Sequence, residues 1–419
     1  MKRELLTLSK IAFRNVRLQK RRSAFILVIL VLGCAGLMVV AGFFEGVLLN
    51  LREQFIHGAT GHLMISKAGY YDHGVANPFE FLLASQREIT DQCLRRPEVS
   101  VVVPRLQFEG LLATEDKASS VGIIGVDPDA ERKMGLYGKE GLKTSAMEIV
   151  EGTDLSAEDP DGIIVGRGVA KLLKLKISDS VSLLASGQAG SLDGASYHVR
   201  GIFQTPIREF DNQFIKVNLG SAQAVSHAEN GVTSLLVILH RTESTAIVQS
   251  DLAKSLDGSG YEVFSWEQRG EFYRNGRDLL KQIYFILQLI FSCLIFLSIA
   301  SSINMAFFER IREFGTMMAL GNPRNLILFL VTMETLILGF IGLVLGLGLA
   351  ILGGMLLSNL GLQMPPLPGS TSGYGVKIIL TPLIVFKVGA IGMCAALLSS
   401  FFVSLRAYSL KIVDALGYT

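Results

Sequence analysis

Long uncharged stretches bracket one long mixed stretch. Residues 24–44 and 282–308 contain no charged side chain, 325–376 contains only Glu334, and 388–405 contains none. About 20 apolar residues carry a helix across the hydrocarbon core, so the pattern predicts four transmembrane helices over 23–46, 281–307, 325–357 and 380–404. The segment between the first two has another rhythm. Short Val-, Ile- and Leu-rich runs bounded by Gly, Pro, Asp and Asn predict strands over 62–66, 99–103, 106–114, 120–126, 162–166, 180–185, 196–204, 213–218, 233–239 and 261–265. Helical patterns fall at 80–95, 167–174, 220–227 and 243–256, and Gly187 to Gly194 reads as loop. The predicted fold class is a four-helix membrane protein with a large extracytoplasmic α+β domain, 47–280, inserted between helices 1 and 2.

Charge sets the expected orientation. Residues 1–22 hold Lys2, Arg3, Lys10, Arg14, Arg17, Lys20, Arg21 and Arg22 against Glu4 alone. The 308–324 loop and the 405–419 tail are also net basic, whereas the short 358–379 loop carries only Lys377. The excess of Lys and Arg on cytoplasmic loops places both termini and the 308–324 loop inside, and the 47–280 domain outside. Leu5, Leu8, Ile11, Ala12 and Val16 share one helical face, which suits an amphipathic helix on the inner leaflet or an extension of span 1. The first apolar run is longer than a signal-peptide core and leads into Phe43-Phe44-Glu45 with no small-x-small cleavage site, so it reads as a retained span.

Composition adds two restrictions. Charged residues make up 18% of the 419, against roughly 25% in ordinary globular domains. Of four cysteines only Cys93 lies in the outer domain, so no disulfide forms there within the chain. The net charge of +2 gives no reason to expect nucleic acid as a partner.

Catalytic chemistry is missing from the motifs. Gly138-Lys139-Glu140-Gly141-Leu142-Lys143-Thr144 glances at a phosphate loop but lacks the Gly-Lys-Ser/Thr triplet. His57, His62 and His73 are not spaced to share one helix face as metal ligands, and no metal site is expected. No Gly-x-Ser-x-Gly elbow or Cys-x-x-Cys occurs. A chain of this kind works by moving, with energy supplied by a partner.

The segment that changes the picture is Glu309-Arg310-Ile311-Arg312-Glu313-Phe314-Gly315-Thr316-Met317-Met318-Ala319-Leu320-Gly321, a charged interruption between two apolar runs. By spacing alone it is either an ordinary topology-anchoring loop or a docking element. Arg312-Glu313-Phe314-Gly315, a short gap and Ala319-Leu320-Gly321, then an apolar helix with Glu334 and a glycine run, resemble the permease subunits of the MacB/FtsX/lipoprotein-releasing class of ABC transporters. The layout is similar too: basic N-terminus, one span, large outer domain, three spans. So is the Ser404-Leu405-Arg406 to Asp414-Ala415-Leu416 tail. Gly125-Val126-Asp127-Pro128, Gly166-Arg167-Gly168-Val169-Ala170 and Gly201-Ile202-Phe203 with Asp211 look like pieces of the lipoprotein-releasing branch. Phe314 and Met318 depart from the commoner Ile and Arg of that pattern.

The resemblance implies a bacterial inner-membrane permease with a periplasmic domain and no catalytic residues or cofactor of its own. ATP and Mg would be bound by two cytoplasmic ATPase subunits docked on 308–323. It implies pairing with a second permease copy or paralogue, and lipoprotein or amphiphilic cargo taken from the outer leaflet. A periplasmic chaperone or adaptor is a further expected partner. MacB-like efflux and FtsX-like transduction to a periplasmic hydrolase are the alternatives. In this reading Glu309, Arg310, Arg312, Glu313, Phe314, Gly315, Met318, Ala319, Leu320 and Gly321 meet the ATPase, with charged contacts from Arg310, Arg312 and Glu313. Gly315 and Gly321 are candidate helix ends.

Four further features are read from the residues. Gly339, Gly342, Gly346, Gly348, Gly353 and Gly354 form a small-residue stripe for close helix packing in span 3. Glu334, an ionisable residue within a span, is either a tie to the coupling segment or a proton relay. Phe43, Phe44 and Glu45 stand where cargo would gain access, or simply position the helix at the interface. Lys387 snorkels.

Overall fold

The computed structural model describes residues 13–408 apart from 15, 19, 75, 138–143, 189, 191 and 365–373. The amphipathic positions 5–12, the 138–143 stretch, Pro365, Pro366, Pro368 and the closing part of the tail lie outside the described residues. The chain divides into two compact units. One comprises Met1–Leu48, Arg277–Gln363 and Gly375–Thr419, the other Leu49–Gly276 and Met364–Tyr374.

The first unit is built on long helices: Lys20–Phe55, Glu271–Glu309, Arg324–Asn359 and Pro382–Tyr408. All four are long and apolar enough to cross a membrane. They outrun the uncharged stretches because helix geometry needs only the absence of a breaker. Arg52, Glu53, Arg274 and Asp278 are charged but compatible with helix, so the first and second helices continue through them. The third helix, at 36 residues, is about 54 Å long at 1.5 Å per residue.

Side chains from all four helices form one apolar cluster that includes Leu30, Met38, Ile299, Ile303, Ile327, Leu338 and Val388. Glycines set the closest approaches. A Cβ at Gly342 would lie 2.6 Å from Leu30 Cβ, and one at Gly346 would lie 3.1 Å from both Cys34 Cβ and the Val31 carbonyl oxygen. Gly339 faces Met393 Sδ and Gly354 faces Ile378. Gly348 and Gly353 do not belong to the stripe, since nothing lies within 4 Å of a Cβ built on either. Composition cannot separate the two sets; the helix's 3.6-residue repeat does.

The second unit carries a ten-stranded sheet. Its strands are β1 (Leu63–Lys67), β2 (Val99–Ala113), β3 (Ala118–Val126), β4 (Glu148–Gly152), β5 (Gly162–Gly166), β6 (Ser180–Ser186), β7 (Leu192–Gln204), β8 (Phe214–Asn218), β9 (Ser234–Leu239) and β10 (Tyr261–Ser265). The order is β10-β1-β9-β2-β3-β8-β5-β7-β4, and β6 pairs with both β2 and β7. One edge of the 15-residue β2 follows β3; its other edge is shared, with β9 opposite 99–105 and β6 opposite 110–113. The pairings β2-β3-β8-β5-β7-β6 therefore return to β2 and close a ring. Inside it lie Leu106, Phe108, Ile123, Val165, Leu183, Val199 and Val217.

Three expectations are corrected here. The runs 99–103 and 106–114 are one strand, with Pro104 inside it. Proline is tolerated because the β3 ladder begins only at Arg105↔Val126, so on that side no donor is missed. The loop expected over Gly187–Gly194 is shorter, since β7 already begins at Leu192 and pairs Leu192↔Ser186. The helix expected over 80–95 starts at Gln86, after a 3-10 turn at Pro78–Phe81. Helices Pro128–Gly135 and Arg208–Gln213 and strand β4 are additional to the predicted elements. The first was hidden by its proline, which sits at the helix start behind the N-cap Asp127.

Candidate functional site

The charged interruption folds as a short helix, Ile311–Ala319, between the second and third long helices. Its apolar residues recur at helical spacing, so Ile311, Phe314 and Gly315 are buried. The Phe314 ring stacks on Phe307 with centroids 5.3 Å apart. The far end is closed by glycine. Gly321 has φ +92°, its N–H donates to the Met318 carbonyl, and the Asn322 N–H donates to the Met317 carbonyl. That pair of bonds is the Schellman C-cap, which needs a left-handed residue at the glycine position. Pro323 then adopts an extended conformation and the third long helix begins.

The expected docking residues divide into two sets. Arg310 is 7% exposed and turns inward. Its Nη1 donates to Glu334 Oε2 at 3.0 Å and to Oε1 at 3.2 Å, and its Nε donates to Glu313 Oε2 at 2.8 Å. Its guanidinium also lies 5.0 Å from the Phe314 ring centroid. Arg310, Phe314 and Gly315 thus belong to the interior, which corrects the expectation that they offer contacts to a partner. Gly315 is also not a helix end but lies within the helix. Glu309, Arg312, Glu313, Thr316, Ala319, Leu320 and Gly321 are exposed, and Met318 is half-buried. Leu320, an apolar side chain 84% exposed, stands at the tip of that face. Glu334 is 7% exposed and is held by Arg310.

Phe44 is not an open surface. It is buried with its ring 5.5 Å from that of Tyr284, while Phe43 and Glu45 are half-buried. His57 and His62 make local structural contacts. His62 is buried; the Leu239 N–H donates to its Nδ1, so Nε2 carries the proton and faces Thr242 Oγ1 at 3.1 Å. Burial, more than the nearby His57, pushes its pKa down to about 4. His57 Nδ1 lies 2.7 Å from the Met134 carbonyl oxygen. Among the described residues no three His, Cys, Asp or Glu side chains are grouped to hold a metal ion.

The outer domain contains a buried ionic cluster that sequence reasoning missed. Glu131, on the Pro128–Gly135 helix, accepts from Arg105 Nη2 and from Lys216 Nζ, each at 2.7 Å. Burial opposes its charge, but the adjoining Arg105 and Lys216 outweigh that and hold the carboxyl at about 2. The signal in the chain was a cation inside each of two largely apolar strands, Arg105 in β2 and Lys216 in β8. The short motifs of the outer domain are turn devices. Asp127 accepts from the Asp129 and Ala130 amides as an N-cap, and Asp211 accepts from the Thr205 N–H and hydroxyl.

With this geometry in view, known proteins can be compared. Residues 285–412 match the FtsX-like permease C-terminal family, and residues 23–255 match the MacB-like periplasmic core domain. The chain is 22% identical over 349 residues to the lipoprotein-releasing system transmembrane protein LolC of Neisseria meningitidis, covering 80% of this chain and 79% of that protein. Similar solved structures include the periplasmic region of MacB from Actinobacillus actinomycetemcomitans (TM-score 0.38, 10% identity, 52% of this chain and 96% of that one). Another is the extracellular domain of the noncanonic ABC-type transporter YknZ from Gram-positive bacteria (TM-score 0.34, 12% identity, 48% and 99%). Because the core-domain match alone spans more than half of the sequence, the chain belongs to the MacB/FtsX/LolC family of ABC transporter permeases, multi-pass inner-membrane proteins with a periplasmic core domain that work with cytoplasmic ATPase partners.

Proposed function

We propose that this permease extracts lipoproteins or other amphiphiles from the outer leaflet of the inner membrane, driven by a separate cytoplasmic ATPase. The observation that carries the ATPase-driven part is the two-faced helix Ile311–Ala319. One face is locked to the third span through Arg310 and Phe314, and the other presents Arg312, Glu313, Thr316 and Leu320. An exposed leucine on the same helix face as exposed charged residues is the composition of a docking anchor with a polar rim. Both termini and this helix then face the cytoplasm, as the basic residues favour. Two ATPase subunits would bind ATP and Mg and press on two permease chains, and the periplasmic domains would move in response. The amphiphile assignment rests on the similarity to a protein named for lipoprotein release.

A second reading, efflux through a periplasmic assembly, draws on the match of residues 23–255 to the MacB-like core. Affinity purification from native membranes separates the two. A bound ATPase with a lipidated protein supports lipoprotein extraction, and an adaptor in place of the lipidated protein supports efflux. Recovery with no ATPase overturns both.

A further inference from the structure

We propose that Arg310 and Glu334 form the linkage that makes the Ile311–Ala319 helix and the inner end of the third span move as one body. This rests on the ATPase-driven reading above and adds the residues that deliver the push.

The short helix is joined to the third span covalently at one end only, through residues 320–323. That turn, capped by two backbone hydrogen bonds with Gly321 at φ +92°, holds this end alone, and in this proposal it is the hinge about which the other end swings when untied. The ion pair closes the other end. Arg310 immediately precedes the short helix, and Glu334 lies ten residues into the third long helix. Ten residues rise about 15 Å, close to the about 14 Å of a nine-residue helix. The two segments, the turn and the ion pair therefore make a closed loop, with Phe307, Ile311, Phe314 and Ile327 packed in the same apolar cluster.

The chemistry of the pair suits transmission better than adhesion. Taking two charges out of water costs more than an apolar contact of the same size would, so a buried ion pair is poor stabilising material and good directional material. Both Glu334 oxygens face one guanidinium nitrogen, at 3.0 and 3.2 Å. The same guanidinium holds Glu313, whose side chain is 61% exposed on the outward face. Arg310 thus connects a carboxylate on the docking face to a carboxylate inside the span. A partner pressing on Glu313 acts on Arg310 and through it on Glu334, with no rearrangement of the Gly321 turn.

The test uses the permease purified with its ATPase and reconstituted in native-lipid nanodiscs, in a chain with its four cysteines replaced. Nitroxide labels at Met317→Cys, which is half-buried and outside the proposed docking residues, and Gly348→Cys report the distance between the short helix and the third span. With Glu334 and Arg310 intact, the distance distribution keeps its width when ATP is added. In Glu334→Gln the ATPase still co-purifies, and ATP broadens the distribution about twofold as the hinge opens. The exchange Arg310→Glu/Glu334→Arg restores the narrow distribution, an effect that loss of stability alone would not produce. If the exchanged chain does not fold, Arg310→Lys, which keeps the charge and loses the fork geometry, is expected to give intermediate broadening. An unchanged distribution in Glu334→Gln, with ATPase bound, overturns the linkage and leaves the ATPase-driven reading standing. Absence of any ATPase from the unsubstituted complex overturns both.

Discussion

Lys216 Nζ lies 2.7 Å from Glu131 Oε1, joining a central strand to a helix 85 residues earlier in the chain. Arg105 completes the cluster and also donates from Nη1 to the Ala59 carbonyl at 2.8 Å. Two buried cations and a carboxylate 11% exposed thereby tie β2, β8, the Pro128–Gly135 helix and the turn at Ile56–Thr60 together. Removing the acid strands two cations. Glu131→Leu is expected to destabilise the protein by about 3–5 kcal/mol, read as a lower melting temperature of the detergent-solubilised chain. An unchanged melting temperature would show that the cluster contributes nothing.

Acid should destabilise the outer domain in two windows. His62 is held at about 4, below its ordinary 6.5. As pH falls through 6.5 the unfolded chain takes up a proton that the folded one refuses, so stability drops toward pH 4 by on the order of 3 kcal/mol. Protonating Nδ1 would also oppose the Leu239 N–H. Glu131, held at about 2 against an ordinary 4.5, adds a second loss of similar size as pH falls from 4.5 toward 2. Melting curves at pH 7, 5 and 3 measure both, and His62→Gln should flatten the first step alone.

The glycines of the third span should not be equivalent. Gly342→Ala drives a methyl into Leu30 and should cost about 1–3 kcal/mol. Gly348→Ala meets nothing and should be neutral or gain up to about 1 kcal/mol from helix propensity. Equal melting temperatures for the two variants would remove the packing argument.

Leu320→Asp places a charge at the exposed tip of the proposed docking face without touching the interior. Loss of a central apolar anchor typically costs about 2 kcal/mol or more of binding, roughly 30-fold in affinity. ATPase co-purification should fall accordingly while the melting temperature stays unchanged. Reversing Arg312 and Glu313 should act in the same direction. Retention of the ATPase through all three changes would mean that another surface docks it.

Local signals carried much of this protein. Hydropathy over 20-residue windows exposed the long helices, and alternation exposed the central strands, because both patterns depend only on neighbours in sequence. The motif at 309–321, with the overall layout, pointed to the family. Local pattern was also enough for β5 and β9, short continuous apolar runs without alternation, bounded by Gly or by Thr233 and His240. It was not enough at Pro104, where the permissive surroundings of one proline depend on where the neighbouring strand ends.

What the sequence by itself determined was therefore the set of long elements and the existence of a charged segment between two of them. Tertiary structure decided which side of that segment is exposed. Arg310 and Arg312 have the same chemistry and stand two residues apart, which on a helix is about 200° of rotation. Only Arg310 reaches Glu334, 24 residues away, and so only Arg310 is buried. The same holds for Glu131 finding Lys216 across 85 residues, and for Gly342 meeting Leu30 while Gly348 meets nothing. Such pairings are set by how distant elements pack, and the energy of a buried charge or a missing Cβ exists only once the partner has arrived.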